Sequence, residues 1–228
     1  MVLNKRFLAH SAALSANLIY GANYSIAKGI MPEYIKPFGF IVIRVLFTAF
    51  VFWIAGLFFK KEKLESSDNL KLFFCAVFGV AINQLLFFKG LDLTAPINGA
   101  LMMTTNPIMV LIAASMIVGE RITINKIIGI ILGVSGALTL LLLGKPDVSL
   151  KHGVTGDVFI LVNSLSYGIF LIMVKPMMQR YNTVTVMKWL FLYGSLLVLT
   201  FGFGEFNEIN WATFDASVWW GVAFVVIG

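Results

Sequence analysis

The sequence holds 228 residues, of which 59% are apolar, 14% aromatic and only 12% charged, with a formal charge of +6. Soluble domains carry about 25% charged residues, so this balance excludes an ordinary soluble core, and its apolar richness excludes disorder. Cys75 is the single cysteine, which excludes a disulfide framework; the class that remains is an all-α polytopic membrane protein.

A bilayer core takes roughly 20 apolar residues per spanning helix. Predicted spans run over about residues 8–28, 37–59, 70–90, 94–118, 124–143, 155–175 and 184–203. An eighth apolar run opens near Val218 and reaches Gly228. At 1.5 Å per residue it covers little more than half a membrane, so the expectation is a chain truncated in about its eighth helix. Lys5-Arg6 and Ala13-Leu14-Ser15 have the outline of a signal peptide. The apolar stretch is broken at His10-Ser11 and resumes through Ile26, which favours a retained helix.

Short-loop cations set the expected orientation. With the N-terminus cytoplasmic, Lys5, Arg6, Lys60, Lys61, Lys63, Lys71, Arg121, Lys126, Lys175, Arg180 and Lys188 lie inside, eleven in all. Lys28, Lys36, Lys89, Lys145 and Lys151 lie outside, which is five. The expected location is the plasma (inner) membrane, with the N-terminus in the cytoplasm. The positive charge then reads as topology, and nucleic-acid binding loses its support.

In the first span Asn17, Tyr20, Gly21, Tyr24 and Lys28 recur at helical spacing and form one stripe. Arg44 lies seven residues inside the second span, at roughly 10 Å depth. A central Arg is costly there, so it pairs, snorkels outward or touches substrate. Asn83-Gln84 interrupts the third span; Asn98, Met102 and Thr105 share a face of the fourth, with Asn106 beside them. Pro107 breaks that helix: either it is a hinge whose freed carbonyls face a cavity, or a static kink satisfied by Thr104 or Thr105. Gly119 has the form of a helix-ending glycine, Glu120 of a turn residue and Thr123 of an N-cap. Asn163, Ser164 and Tyr167 repeat the polar patch in the sixth span. Interhelical hydrogen bonding is the alternative for each polar group. Four spans with mid-depth patches together indicate a shared aqueous pathway. The expected cavity residues are Asn17, Tyr20, Tyr24, Asn83, Gln84, Asn98, Thr105, Asn163 and Tyr167. Arg44 is a possible ion pair or substrate contact.

A shift of 147 residues superposes Leu14, Leu18, Tyr20, Gly21, Lys28, Met31 and Tyr34 on Leu161, Leu165, Tyr167, Gly168, Lys175, Met178 and Tyr181. If this marks a repeat, the unit holds five helices, and an odd number of crossings inverts the second unit. Inverted repeats are an architecture of secondary transporters, with substrate near the midplane between them.

The segment Ala95 to Thr123, APINGALMMTTNPIMVLIAASMIVGERIT, with Tyr20-Gly21-Ala22-Asn23 and Arg44, resembles the EamA family of the drug/metabolite transporter superfamily. The resemblance implies inverted five-helix repeats of a ten-helix type. A first repeat would cover 8–143, and a second, incomplete one 155–228. The usual Trp of the first-helix motif is Tyr20 here. The implied function is a permease moving, by alternating access, a small polar metabolite such as an amino acid, with export as the expected direction. No cofactor or metal is implied; the partners are a small-molecule substrate and the lipid bilayer. The first span lacks the Glu on which the related small multidrug exporters depend, which disfavours cationic drug–proton antiport. The rival reading is an integral membrane enzyme acting on a lipid or acyl substrate, for which His152 and Asp157 have a suggestive spacing. They flank a glycine-containing outer loop without a phosphate cradle, and Cys75 has no His partner nearby in sequence. A channel or receptor is a third possibility.

Overall fold

A computed structural model describes residues 2–59, 61–119, 123–143 and 153–227. In hydrocarbon the backbone must satisfy its own N–H and C=O groups, and a helix does so within one segment. The helices are α1 (Val2–Ile30), α2 (Pro37–Ala55), α3 (Ser66–Ala76), α4 (Asn83–Leu93), α5 (Pro96–Met103), α6 (Asn106–Val118), α7 (Ile124–Leu143), α8 (Gly153–Arg180), α9 (Thr183–Asn207) and α10 (Ala216–Ile227). A π-helical segment, Val77–Ile82, joins α3 to α4. No strand occurs among the described residues. Four helical stretches there are long and apolar enough to cross a membrane: Pro37–Ala55, Ser66–Leu93, Val154–Arg180 and Thr183–Asn207. The bent pair α5–α6 makes a fifth if counted as one span. α8 runs past Pro176, where the sequence reading ended it, and Tyr181 N–H still reaches Met177 O at 2.9 Å.

Helix ends follow local chemistry. Pro37 opens α2, where its missing N–H costs nothing. Asn182 caps α9 by accepting from Val184 N–H at 2.9 Å. Gly119 ends α6 with φ of 68°, a left-handed conformation that glycine adopts without a Cβ penalty. Thr123 directly precedes α7, and its carbonyl accepts from Ile127 N–H. Glu120 lies outside the described residues. Asp215 accepts from Val218 N–H at 2.8 Å before α10. That bond and the Ser217 hydroxyl hold its carboxyl below the usual range.

The core is built on α2 against α9. A Cβ on Gly39 would stand 3.0 Å from Glu205 C, and one on Gly202 2.7 Å from Phe38 O, so the backbones meet directly. Phe52 stacks on Phe191 with ring centroids 5.7 Å apart. Glu205 accepts from the N–H groups of Phe38 (2.6 Å) and Gly39 (3.1 Å), so α9 supplies the anionic cap that the positive end of α2 lacks locally. Beside it Lys36 pairs with Glu208 at 2.5 Å. This hydrogen bond and charge raise the Lys36 ammonium above its ordinary range.

At the opposite end of α9, Asp68 is fully buried. It accepts from Arg180 Nη1 (2.6 Å), Lys71 Nζ (2.9 Å) and Tyr181 Oη (3.0 Å). Arg180 also pairs with Glu65, and Glu62 accepts from Asn182 N–H at 2.9 Å. Ion pairs and caps therefore clamp α2 and α3 to α8 and α9 at both ends.

Gly202→Ala is expected to lower stability by about 1–3 kcal/mol through overpacking. Gly204→Ala, where nothing lies within 4 Å of a new Cβ, should leave it unchanged. Thermal melting in detergent distinguishes the two, and equal melts would remove close backbone approach as the fastener of the seam.

Candidate functional site

A cavity of about 480 Å³ opens between α1, α2, α4, the α5–α6 break and α8. α1 contributes Gly21 and Tyr24, and α2 contributes Arg44. Asn83, Gln84 and Phe87 come from α4, and Asn163 and Tyr167 from α8. Ala100, Met103, Thr104 and Asn106 complete it around the break. No carboxylate is among these lining residues.

Asn83 and Gln84 reach the cavity from directly after the π-helical segment. The wider π turn rotates everything that follows relative to a continuous α-helix. α8 supports the turn: Ser166 Oγ donates to Phe78 O at 2.6 Å and Asn163 Nδ2 to Asn83 O at 2.6 Å. Their three-residue spacing puts both donors on one side of α8. Part of the polar patch predicted in this helix therefore serves interhelical bonding. The carbonyl oxygen of Asn163, and that of Asn106, are buried without a hydrogen-bond partner among the described residues. Buried acceptors of this kind are costly unless something donates to them.

The fourth predicted span is broken rather than continuous. α5 stops at Met103 and α6 restarts at Asn106, with a 40° bend between them. Pro107 is the second residue of α6, where helices tolerate proline. Thr104 and Thr105 hydroxyls donate to Leu101 O and Met102 O, each at 2.6 Å. The same two carbonyls also accept from the Thr104 and Thr105 N–H groups, each at 3.0 Å, so backbone and hydroxyl share them at the break.

Among the expected cavity residues, Tyr24, Asn83, Gln84, Asn163 and Tyr167 converge here, with Arg44. Asn98 and Thr105 are not among the lining residues, and the side chains of Asn17 and Tyr20 lie outside the described residues. The break accounts for Thr105, which it separates from the face that Asn98 and Met102 share within α5. The observed face uses Ala100, Met103 and Thr104, and Asn106 enters from beyond the bend. Phe87, Ala100 and Met103 lacked a chemical signal that would select them from sequence, whereas Gly21 stood on the predicted stripe of the first span and Thr104 at the predicted kink. The Asn106-Pro107 pair carried one, since Pro is favoured in a first helical turn.

Neighbouring polar groups are engaged in packing. Arg44 Cζ lies 5.7 Å from the Phe88 ring centroid, and Tyr24 meets Phe87 edge-on at 5.4 Å. Lys28 donates to Leu91 O at 2.8 Å and to Asp92 O, capping the negative end of α4. Lys89 pairs with Asp92 at 3.1 Å. Asp157 accepts from the buried Thr94 hydroxyl at 2.7 Å, joining α8 to the end of α4. His152 lies outside the described residues. Cys75 is buried in α3, away from the cavity lining.

Known proteins share this pattern. The EamA-like transporter family model matches residues 7–142. The uncharacterized transporter YyaM of Bacillus subtilis is 22% identical over 216 residues, covering 93% of this chain and 70% of its own. An uncharacterized transporter of Archaeoglobus fulgidus is 23% identical over 174 residues, covering 76% of this chain and 58% of its own. A WAT1-related protein of Arabidopsis thaliana is 27% identical over 217 residues, covering 81% of this chain and 58% of its own. The chain thus spans 58% to 70% of the length of these relatives. A crystal structure with 17% identity shares the fold at a TM-score of 0.59, covering 94% of this chain and 75% of that one.

The support from α8 is testable apart from any substrate. Ser166→Ala leaves Phe78 O without its donor and is expected to cost about 1–2 kcal/mol. Faster amide exchange confined to residues 77–84, measured by hydrogen–deuterium exchange, is the expected signature; unchanged exchange there would dissociate Ser166 from the π turn.

Proposed function

The chain belongs to the EamA-like transporter family, and from that premise we propose that it forms a secondary permease for a small polar metabolite, exporting it by alternating access. The observation that carries the reading is a polar cavity without a lining carboxylate, holding two buried oxygens, Asn106 Oδ1 and Asn163 Oδ1, that lack a hydrogen-bond partner among the described residues. Such acceptors select a solute that brings N–H, O–H or ammonium donors. Arg44 adds a guanidinium to the same wall, suited to a carboxylate. Amino acids and related metabolites combine both features. The volume falls within the roughly 300–1,000 Å³ of small-molecule sites. Tyr24, Asn83, Gln84 and Tyr167 would complete recognition, with the break before Pro107 as the place where α5 and α6 change angle.

Packing supports an inverted-repeat reading, with one unit over 8–143 and a second opening at 155. The 147-residue shift carries α1 onto α8, α2 onto α9, and the α3–π stretch onto α10. The neighbour relations follow the same exchange. α8 packs on the α3–π–α4 stretch as α1 packs on α10, and α9 packs on α3 as α2 packs on α10. α2 and α9 pair across the centre. Lys61, Lys63 and Arg180 gather at the end of the molecule opposite Glu205 and Glu208, in keeping with a cytoplasmic N-terminus in the plasma membrane. The engagement of Asp157 in packing gives the enzyme alternative no support.

Metabolite profiling of medium from overexpressing cells identifies the solute class, and proteoliposome flux then tests the site. Asn106→Leu and Asn83→Ala are each expected to reduce flux about 3–10-fold, the range for loss of one neutral hydrogen bond, with insertion unaffected. Wild-type flux in both variants would sink the proposed cavity. Ohmic current without saturation would make the protein a channel.

A further inference from the structure

A second cavity, of about 650 Å³, lies away from the first, between the end of α2, the segment leading into α3, and the first turns of α9. Its chemistry is cationic. Lys61, Lys63 and Lys188 line it, and none makes an ion pair among the described residues. The single carboxylate on the wall, Glu62, is turned to the start of α9, where it accepts from Asn182 N–H. Asn69 Oδ1 is occupied by Tyr193 Oη at 2.6 Å, leaving its amide group to donate. Lys188 is held in place: its ammonium stands 5.1 Å from the Trp53 ring centroid and 5.9 Å from that of Trp189. The two indoles themselves meet at 5.9 Å. A donor-rich pocket with uncompensated positive charge calls for an anion.

The surface beside it says which anion. Phe50, Trp53, Ile54 and Leu57 follow at three- and four-residue spacing on α2 and its final turn. Their exposures are 61%, 40%, 42% and 74%, so they form an uncovered apolar track that ends at the lysines. Two tryptophans mark the junction, as aromatic rings do at the headgroup level of membrane proteins. A free phosphate ion would use the lysines alone; a phospholipid uses the lysines for its phosphodiester and the track for an acyl chain. We propose that this cavity binds the headgroup of an anionic phospholipid, with its chain laid along α2. The site is independent of the transport cavity. Because its lysines and Trp189 sit on both sides of the α2–α9 seam, an occupied site would fasten that seam at its lysine-bearing end.

Native mass spectrometry of the detergent-purified chain, offered phosphatidylglycerol and phosphatidylcholine with identical chains, tests this. Retention of phosphatidylglycerol in clear preference to phosphatidylcholine is expected. Each Lys→Gln change at Lys61, Lys63 or Lys188 should weaken that preference roughly fivefold. Lys188→Arg should preserve it. K61Q/K63Q alters only exposed side chains and separates charge from the Lys188–Trp packing. Ile54→Ser should weaken phosphatidylglycerol binding, so that inorganic phosphate displaces more of the lipid than in wild type. Equal retention of the two lipids, or of phosphatidylglycerol in wild type and the triple Gln variant, overturns the proposal. Complete displacement by equimolar inorganic phosphate would also overturn it, by making the site one for free anions.

Discussion

Two helices approach to backbone contact where a residue without a side chain faces the partner's main chain, and α2 meets α9 in that way at Gly39, against Glu205, and at Gly202, against Phe38. Lipid tails exert no hydrophobic pressure between helices, so this close packing must supply much of the attraction. It also places Glu205 over the first N–H groups of α2, which no residue of α2 itself could satisfy. The seam fixes the direction of α2, and with it the wall from which Arg44 enters the cavity. A shift along this contact would uncap a helix and move the site together.

Around that seam, polar side chains divide between holding helices and facing the cavity. Asn163 does both: its amide nitrogen secures Asn83 O, while its oxygen stays unpartnered. The structural bond fixes the orientation of the side-chain amide, and with it the position of that oxygen. Ser166 and Lys28 are committed wholly to carbonyls of the third span, one at its π turn and one at its end. A cavity without carboxylates on its lining does not compete for the Lys28 ammonium.

Much of the architecture was legible in the sequence because a membrane imposes a length on every apolar run. The stretches around 37–59 and 184–203 became α2 and α9 almost unchanged. Polar residues interrupting apolar runs led to Tyr24, Asn83, Gln84, Asn163 and Tyr167 for the same reason: hydrocarbon tolerates few of them. Two features escaped. The π turn depends on donors from α8, some 80 to 88 residues away, and Val77–Ile82 carries no mark of it. The break at Thr104 and Thr105 was announced by Pro107, yet its effect on which face meets the cavity follows from a bend that spacing does not encode. Asp68 was a third surprise. It lies just outside the predicted third span, yet it is fully enclosed, because Arg180 and Tyr181 reach it from a distant part of the chain.

That distance acquires a meaning during synthesis. Asp68 is translated 112 residues ahead of Arg180. At about 5–20 residues per second the wait lasts roughly 6–22 s. Throughout it Lys71, three residues along the same helix, is the one partner of this set already made. A carboxylate facing such a delay is best kept in water at the membrane surface, so burial of the α2–α3 turn has to wait for the end of α8. Arg180, Tyr181 and Asn182, three consecutive residues, then supply partners for Asp68, Glu65 and Glu62 together.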